Sequence, residues 1–123
     1  MKYDISALGN ALVDTQYMVD HDFLDEIGLE ADSMTLASAE EHSPIIDKLE
    51  SMGVESVSDC GGSATNSLVA ASYYGSKCHH VCRVANDEDG KKYLESLQKA
   101  GVQHIGYSKE DSEMPTGKCL IFV

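Results

Sequence analysis

The sequence GGSATNSLVAASYYG, residues 61–75, joins a pair of glycines to a run of small residues that favour a helix. Glycine permits a positive φ and a close approach of the backbone to a ligand, so the pair predicts a turn that leads directly into a helix. The first amides of a helix are free to donate hydrogen bonds, so such a turn can bind oxygen-rich small molecules. A plain turn before a packed helix is the commoner role of a glycine pair, and this stretch alone leaves both interpretations open.

The length and charge of the chain limit what kind of protein it can be. Its 123 residues are enough for one domain, or for a part of one. The formal net charge of -12 at pH 7 argues against nucleic acid and anionic membrane surfaces as partners, since both attract basic patches. No apolar stretch has the form of a signal peptide or the length of a membrane span, so we predict a cytoplasmic protein.

Cysteine, histidine and cysteine occupy every second position from 78 to 82 in the apolar segment 77–84. Cys78, His80 and Cys82 would share one face of a strand there, and such residues could in principle bind zinc. They have no fourth ligand at a recognisable spacing, and the four cysteines of the chain include no Cys-x-x-Cys pair. We therefore predict buried strand residues with reduced thiols, and no metal ligand in this chain.

Hydrophobic periodicity predicts an alternation of strands and helices. The predicted strands are residues 3–8, 15–19, 31–37, 54–58, 77–84, 102–106 and 118–123, and the predicted helices are residues 22–27, 38–52, 64–74 and 87–100. Strands joined by crossover helices form parallel sheets, so this order predicts an α/β layer architecture. Ser38 and Glu41 have the spacing of a capping box, while Pro44 indicates either a kink in that helix or a start at Ser43.

Polar side chains follow the first predicted strand, which ends at Gly9. Asn10 and Asp14 would lie at the edge of the sheet where α/β proteins bind ligands. A solvated carboxylate in a turn is the other interpretation of Asp14, and this stretch alone does not decide between them.

Four separated patterns of glycine and polar residues coincide in the chain. They are Gly9-Asn10-x-x-x-Asp14, Gly61-Gly62-x-x-x-Asn66, Asn86-Asp87-x-x-Gly90 and Pro115-Thr116-Gly117. Together they resemble the N-terminal part of the ribokinase-like (PfkB) family of carbohydrate and nucleoside kinases. The resemblance covers essentially the whole chain, and the pattern of spaced glycines from Gly61 to Gly90 is far more specific than the glycine pair alone.

The resemblance implies a Rossmann-like α/β domain of the ribokinase fold, with a small β-sheet lid that closes over the phosphate acceptor. By position, the lid strands would come from about residues 15–19, 31–37 and 107–123, with Thr116 and Gly117 as lid residues. A lid would exclude water and favour transfer over hydrolysis. Because lid edge strands present unpaired backbone groups, a homodimer through the lid is a further expectation.

The resemblance also assigns an acceptor site for a small-molecule sugar or nucleoside. Its residues would be Asn10, Asp14, Gly61, Gly62 and Asn66. Amide and carboxylate groups suit sugar hydroxyls, and an ionised aspartate accepts the stronger hydrogen bonds.

The resemblance implies that the other half of a kinase lies outside these residues. In the family, the catalytic base is an aspartate in a Gly-Ala-Gly-Asp motif toward the C-terminus, and no such motif occurs among these residues. The resemblance therefore implies that ATP and magnesium are bound mainly by an absent C-terminal part, and that this chain has no catalytic residue and is inactive alone. A strand that ends at Val123 without a following turn also indicates a truncated or split chain. The alternative is a non-catalytic binding or regulatory module for a sugar or nucleoside.

Some residues depart from the family pattern. Cys82 and Ala85 stand where the family often has glycine, and Asn86 where it often has aspartate. Ser63 stands where ribokinase tends to have lysine. No Lys or Arg lies in either acceptor motif, which argues against a phosphorylated acceptor. The resemblance leans toward the adenosine kinase and related sugar kinase branch.

Overall fold

The computed structural model describes residues 2–107 and 114–123, so part of the predicted lid range, residues 108–113, lies outside the described residues. The elements in chain order are β1 (Ile5–Leu8), β2 (Leu12–Tyr17), α1 (His21–Glu26), α2 (Ala39–Ser51), β3 (Ser56–Gly61), α3 (Ser63–Tyr73), β4 (Cys78–Val84), α4 (Glu88–Lys99), β5 (Gln103–Tyr107) and β6 (Gly117–Phe122). They form two compact units. One contains Met1–Asp14 and Ser58–Cys119, and the other contains Thr15–Val57 and Leu120–Val123. The predicted mixed α/β class is confirmed.

The first unit is built on a parallel sheet in the order β1-β4-β5. Cys78, His80 and Cys82 lie on one face of β4 and are buried, as their alternation predicts. Helices α3 and α4 cover this face, where Leu68 of α3 and Leu97 of α4 belong to the same buried cluster as the two cysteines. Burial of this side of the sheet provides the hydrophobic stabilisation of the first unit.

The opposite face of the parallel sheet carries exposed apolar side chains. Leu8, Val81 and Ile105 occupy neighbouring strands in register, and their side chains are 81%, 38% and 69% exposed. Parallel sheets are usually covered on both faces. Among the described residues, the face that contacts α3 and α4 has the composition and burial of a core, and the opposite face does not.

The second sheet has the order β3-β2-β6. Within the second unit, Tyr17, Phe23 and Leu49 form a separate buried cluster, and the rings of Phe23 and Phe122 pack at a centroid distance of 5.7 Å. Helix α2 contributes Leu49. Ser38 and Glu41 form the predicted capping box, so the helix starts at Ala39, with a proline in its interior. The alternative start at Ser43 is therefore excluded.

Three strand predictions need correction. The segment expected at residues 54–58 is β3, which runs to Gly61 and pairs with β2 rather than joining the parallel sheet. Residues 31–37 form no strand and are exposed throughout. At Tyr107 the assignment to the lid is wrong, since β5 pairs with β4 in the parallel sheet. The existence of a lid stays a prediction.

Candidate functional site

Asp14 and Gly61 meet where strands β2 and β3 lie side by side. A Cβ atom built on Gly61 would overlap with the Asp14 carboxylate, so the carboxylate fills the space that any side chain at position 61 would need. Gly61 is buried, whereas Asp14 is half-buried. The first glycine of the pair therefore allows an aspartate to lie directly against the backbone of β3.

Gly62 forms the turn between β3 and α3. Its φ of 101° lies in the region that side-chain-bearing residues rarely adopt, and it is the N-cap of α3. A Cβ on Gly62 would also lie 2.7 Å from the carbonyl oxygen of Asn10. The segment after β1 packs equally closely on the helix start, because a Cβ on Gly9 would lie 2.6 Å from the Cβ of Ala64. The glycines thus let two backbone segments meet at the start of α3.

Asn66 lies one helical turn after the glycine pair. Its backbone amide donates to the carbonyl of Gly62 at 2.9 Å, and the residue is exposed. Asn10 is exposed as well, and its backbone contacts the start of α3 as described above. The structure therefore brings Asp14, Gly61, Gly62 and the backbone of Asn10 together, and it places Asn66 beside them on the first turn of α3. Their role in binding an acceptor stays a prediction.

The electrostatics of Asp14 distinguish it from an ordinary surface carboxylate. Burial raises the pKa of Asp14 above its ordinary value of 3.8, and repulsion from Asp59 raises that pKa further. Asp59 itself accepts hydrogen bonds from the amide of Cys60 and the hydroxyl of Ser96. Holding a partly desolvated carboxylate near a second one costs stability, and such arrangements are frequent at functional sites.

Thr116 and Gly117 are fixed by contacts within the first unit. The Thr116 amide donates to Oδ2 of Asp87 at 2.8 Å, and its hydroxyl donates to Oδ1 of Asp87 at 2.6 Å. The same hydroxyl accepts from the amide of Ala85 at 2.9 Å. Gly117 lies against the segment before β2, because a Cβ there would lie 3.0 Å from the carbonyl oxygen of Ala11. Thr116, Asp87 and Ala85 are called the Asp87 clasp below.

The clasp was not foreseen from the sequence. The spacing Asp87-x-x-Gly90 predicts a helix start, and Asp87 is indeed the N-cap of α4, accepting from the Gly90 amide at 2.7 Å. Its second partner, Thr116, lies 29 residues further along the chain. No local pattern connects the two positions.

Acid is expected to weaken the clasp. Partial burial alone would raise the pKa of Asp87, but hydrogen bonds from the hydroxyl and amide of Thr116 and from the Gly90 amide, with the charge of Lys118, lower it below its ordinary value of 3.8. The stabilisation is therefore fully present above pH 3.8 and is lost as the pH falls through the lower folded-state pKa. We expect Asp87→Asn to lower the free energy of unfolding at pH 7 by about 1 kcal/mol or more, and to flatten its decline in acid.

Urea unfolding of the wild type and of Asp87→Asn at a series of pH values between neutrality and acid tests this expectation. Asp20→Asn is the control, because Asp20 caps α1 by accepting one backbone hydrogen bond, from Phe23 at 2.9 Å. Identical acid limbs for the wild type and Asp87→Asn would contradict the role of the Asp87 carboxylate.

Among the described residues, no group of three or more histidine, cysteine, aspartate or glutamate side chains could hold a metal ion. Both ring nitrogens of His80 have partners within the protein, the hydroxyl of Thr65 and the carbonyl of Ala7. In the same described part of the chain, no helix is long and apolar enough to cross a membrane.

The sequence profile of the pfkB family of carbohydrate kinases matches residues 33–123. The chain belongs to this family. Adenosine kinase 1 of Arabidopsis thaliana is 30% identical to this pfkB-family chain over 120 residues, which cover 94% of the chain and 33% of the plant enzyme. The 2-dehydro-3-deoxygluconokinase of Thermoproteus tenax is 38% identical over 56 residues, which cover 46% of the chain and 17% of that kinase.

Solved structures of kinases have the same fold. The adenosine kinase of Sinorhizobium meliloti superimposes on the whole pfkB-family chain with a TM-score of 0.82 and 28% identity, over 36% of its own length. A probable sugar kinase of Rhizobium etli CFN 42 superimposes on 98% of the chain with a TM-score of 0.80 and 25% identity, over 35% of its length. The chain therefore has the fold of a ribokinase-like kinase, and it spans about a third of the length of the adenosine kinases that it matches.

Proposed function

We propose that the chain is the acceptor-binding part of an ATP-dependent sugar or nucleoside kinase, which transfers the γ-phosphoryl group to a primary hydroxyl. The observation that carries the proposal is the contact between the Asp14 carboxylate and the backbone of Gly61 at the start of α3. It supports a site in which the ionised carboxylate accepts hydrogen bonds from acceptor hydroxyls, while Asn10 and Asn66 supply amide groups beside it. Fixing the hydroxyl in this way would orient it for attack.

The charges around the site favour a neutral acceptor. Asp14 lies near Asp59, and the two carboxylates repel each other. A phosphorylated acceptor would bring a further negative charge to this position, where the acceptor motifs supply no cation. A free sugar or a nucleoside is therefore the acceptor class that fits. The similarity to adenosine kinases supports a nucleoside in particular.

In this proposal, the nucleotide is bound by residues other than those of the acceptor site. ATP, with magnesium to neutralise its phosphates, would be bound mainly by residues equivalent to the C-terminal two thirds of the relatives. The chain by itself would then not catalyse transfer. A cytoplasmic location and a homodimer through lid strands complete the proposal.

Phosphoryl transfer from radiolabelled ATP tests the proposed function. The protein encoded by the complete coding sequence, and the 123-residue chain alone, would each be incubated with ATP, magnesium and one acceptor from a panel of adenosine, inosine, guanosine, ribose and fructose. We expect the complete protein to phosphorylate at least one of the five and the chain alone to phosphorylate none. Acceptor binding by the complete protein without any transfer would replace the kinase by a non-catalytic binding module. Transfer by the chain alone would contradict the assignment of catalysis to other residues.

A further inference from the structure

A buried chain of hydrogen bonds connects α3 with β4 and α4. The Thr65 hydroxyl lies 3.1 Å from Nε2 of His80 and 2.8 Å from the Tyr93 hydroxyl, and Nδ1 of His80 lies 3.3 Å from the carbonyl oxygen of Ala7. Thr65, His80 and Tyr93 are each 0% exposed. Polar groups this deeply buried are costly unless all of them are paired, so the three side chains depend on one another.

The donors in this chain follow from the acceptor at its end. A carbonyl oxygen only accepts, so Nδ1 of His80 donates to Ala7, and with a single proton on the ring Nε2 accepts from Thr65. The Thr65 hydroxyl has one proton, which leaves Tyr93 to donate to its oxygen. Burial raises the pKa of Tyr93 well above its ordinary value of 10.0, so its hydroxyl keeps its proton. With that tautomer, each of these hydrogen bonds has one donor and one acceptor.

Thr65 is the third residue of α3, one position before Asn66. Helices α1, α2 and α4 have N-cap side chains that bond their first turns, from Asp20, Ser38 and Asp87. Helix α3 begins at Ser63, and its N-cap, Gly62, provides no side-chain cap. Its first turn is held instead on the buried side, by the hydrogen bonds of Thr65 to His80 and Tyr93. The Thr65 hydroxyl oxygen is also close to Gly62, because it would lie 3.5 Å from a Cβ built there.

We propose that Thr65, His80 and Tyr93 are positioning residues for acceptor binding. Their hydrogen bonds hold the first turn of α3 from the inside, and with it Gly62 and Asn66, while the N-cap residue Gly62 supplies no side-chain hydrogen bond. This proposal rests on the proposed function. It adds that acceptor affinity depends on three side chains that do not touch the acceptor themselves.

Nitrogen NMR of isotopically labelled histidine in the complete protein tests the direction of the hydrogen bonds without any activity. We expect His80 to carry its proton on Nδ1 and to have a bare Nε2 that accepts a hydrogen bond. In Thr65→Val, which keeps the shape and removes the hydroxyl, the Nε2 resonance should shift, and it should return toward the wild-type position in Thr65→Ser. A proton on Nε2 in the wild type would overturn the arrangement.

Amide hydrogen exchange and kinetics test the positioning role. Ser72→Ala is the matched control. Ser72 lies at the C-terminal end of α3, where its hydroxyl donates to the carbonyl of Ala100, the C-cap of α4, at 2.8 Å. We expect Thr65→Val to speed exchange at the Asn66 and Ser67 amides. In the complete protein it should raise the acceptor KM about tenfold, because one buried hydrogen bond is lost, and leave the KM for ATP unchanged. Ser72→Ala should do neither.

Two results would refute the positioning role. One is equal exchange at Asn66 in Thr65→Val and Ser72→Ala, and the other is an equal acceptor KM in both. Tyr93→Phe removes the terminal donor while keeping the ring, so it serves as the second variant if Thr65→Val does not fold. A wild-type complete protein without kinase activity would refute the proposed function instead, and the histidine and exchange measurements would still decide whether the hydrogen bonds hold the helix start.

Discussion

Asp14→Asn is expected to weaken acceptor binding about tenfold to a hundredfold and, at the same time, to stabilise the protein at pH 7. The loss of affinity follows from replacing an ionised hydrogen-bond acceptor, whose bonds are worth about 1.5–3 kcal/mol, with a neutral amide. The gain in stability follows from the raised pKa of Asp14, since burial and then Asp59 disfavour its charged form in the folded state. A carboxylate kept only for structure would give the opposite change in stability.

The pH dependence gives the sign of this stability effect. A folded-state pKa above the ordinary value of 3.8 means that the folded protein binds the proton more tightly than the unfolded chain. The cost of the charge therefore appears as the pH rises above 3.8 and is complete above the folded-state pKa. Urea unfolding should show a stabilised Asp14→Asn variant at pH 7, with an advantage that shrinks toward acid.

Asp59→Asn is the matched control for this prediction. It removes the neighbouring charge but leaves the Asp14 carboxylate in place, so acceptor affinity should be retained. Calorimetric titration of the complete protein with adenosine and with fructose measures the affinity of each variant. Unchanged affinity in Asp14→Asn for an acceptor that the wild type binds would remove Asp14 from the site.

Gly61→Ala is expected to displace the Asp14 carboxylate, because it changes the backbone position against which that carboxylate lies. The new methyl group would overlap with the Asp14 side chain, which is free to rotate away because the overlap is with its flexible end and not with backbone. We expect a modest loss of stability, about 1 kcal/mol, and a loss of acceptor affinity close to that of Asp14→Asn. In the double variant the two losses of affinity should not add, since both act through one carboxylate. Fully additive losses would show that Gly61 acts by another route.

The sequence predicts the parts of the site that depend on local backbone rules. Two adjacent glycines before small helix-forming residues predict the turn at Gly62, and its φ of 101° confirms that only glycine suits that position. The spacing of Ser38 and Glu41 predicts the capping box. These features involve residues at most a few positions apart, so their chemistry can be read directly from the order of residues.

Pairings between distant segments are where prediction fails. The segment 31–37, which is predicted as a strand, forms none, and Met34 and Leu36 are 86% and 90% exposed. Strand β3 joins β2 rather than the parallel sheet, a choice that its own residues do not specify. The hydrogen bond between Thr65 and Tyr93 spans 28 residues, and although Thr65 lies within the glycine pattern from Gly61 to Asn66, nothing in that pattern indicates Tyr93 as its partner. Long-range partners depend on the packing of whole elements, which local periodicity does not describe.

Gly90→Ala is expected to destabilise the protein by about 1–3 kcal/mol, the usual cost of overpacking, although alanine is the better helix former by about 1 kcal/mol. Gly90 lies in the first turn of α4, and a Cβ there would overlap with the carbonyl oxygen of Ala85. It would also lie 3.0 Å from the Thr116 hydroxyl oxygen and 3.0 Å from Oδ1 of Asp87. A backbone carbonyl cannot rotate away as a side chain can, so sterics outweigh helix propensity here.

Gln98→Ala is the control, because it changes an exposed position of the same helix to alanine without adding an atom to a packed region. Urea unfolding should show Gly90→Ala destabilised and Gln98→Ala close to the wild type, whereas a stabilised Gly90→Ala would mean that the start of α4 can move away from Ala85. Acceptor affinity of the folded Gly90→Ala protein gives a second result. The glycine contacts the Asp87 clasp, so we expect its affinity to stay near the wild-type value. Gly90 of the Asn86-Asp87-x-x-Gly90 pattern would then be needed for the packing of α4 on the clasp. Gly61, in contrast, is needed to accommodate Asp14, and Gly62 is needed for the start of α3.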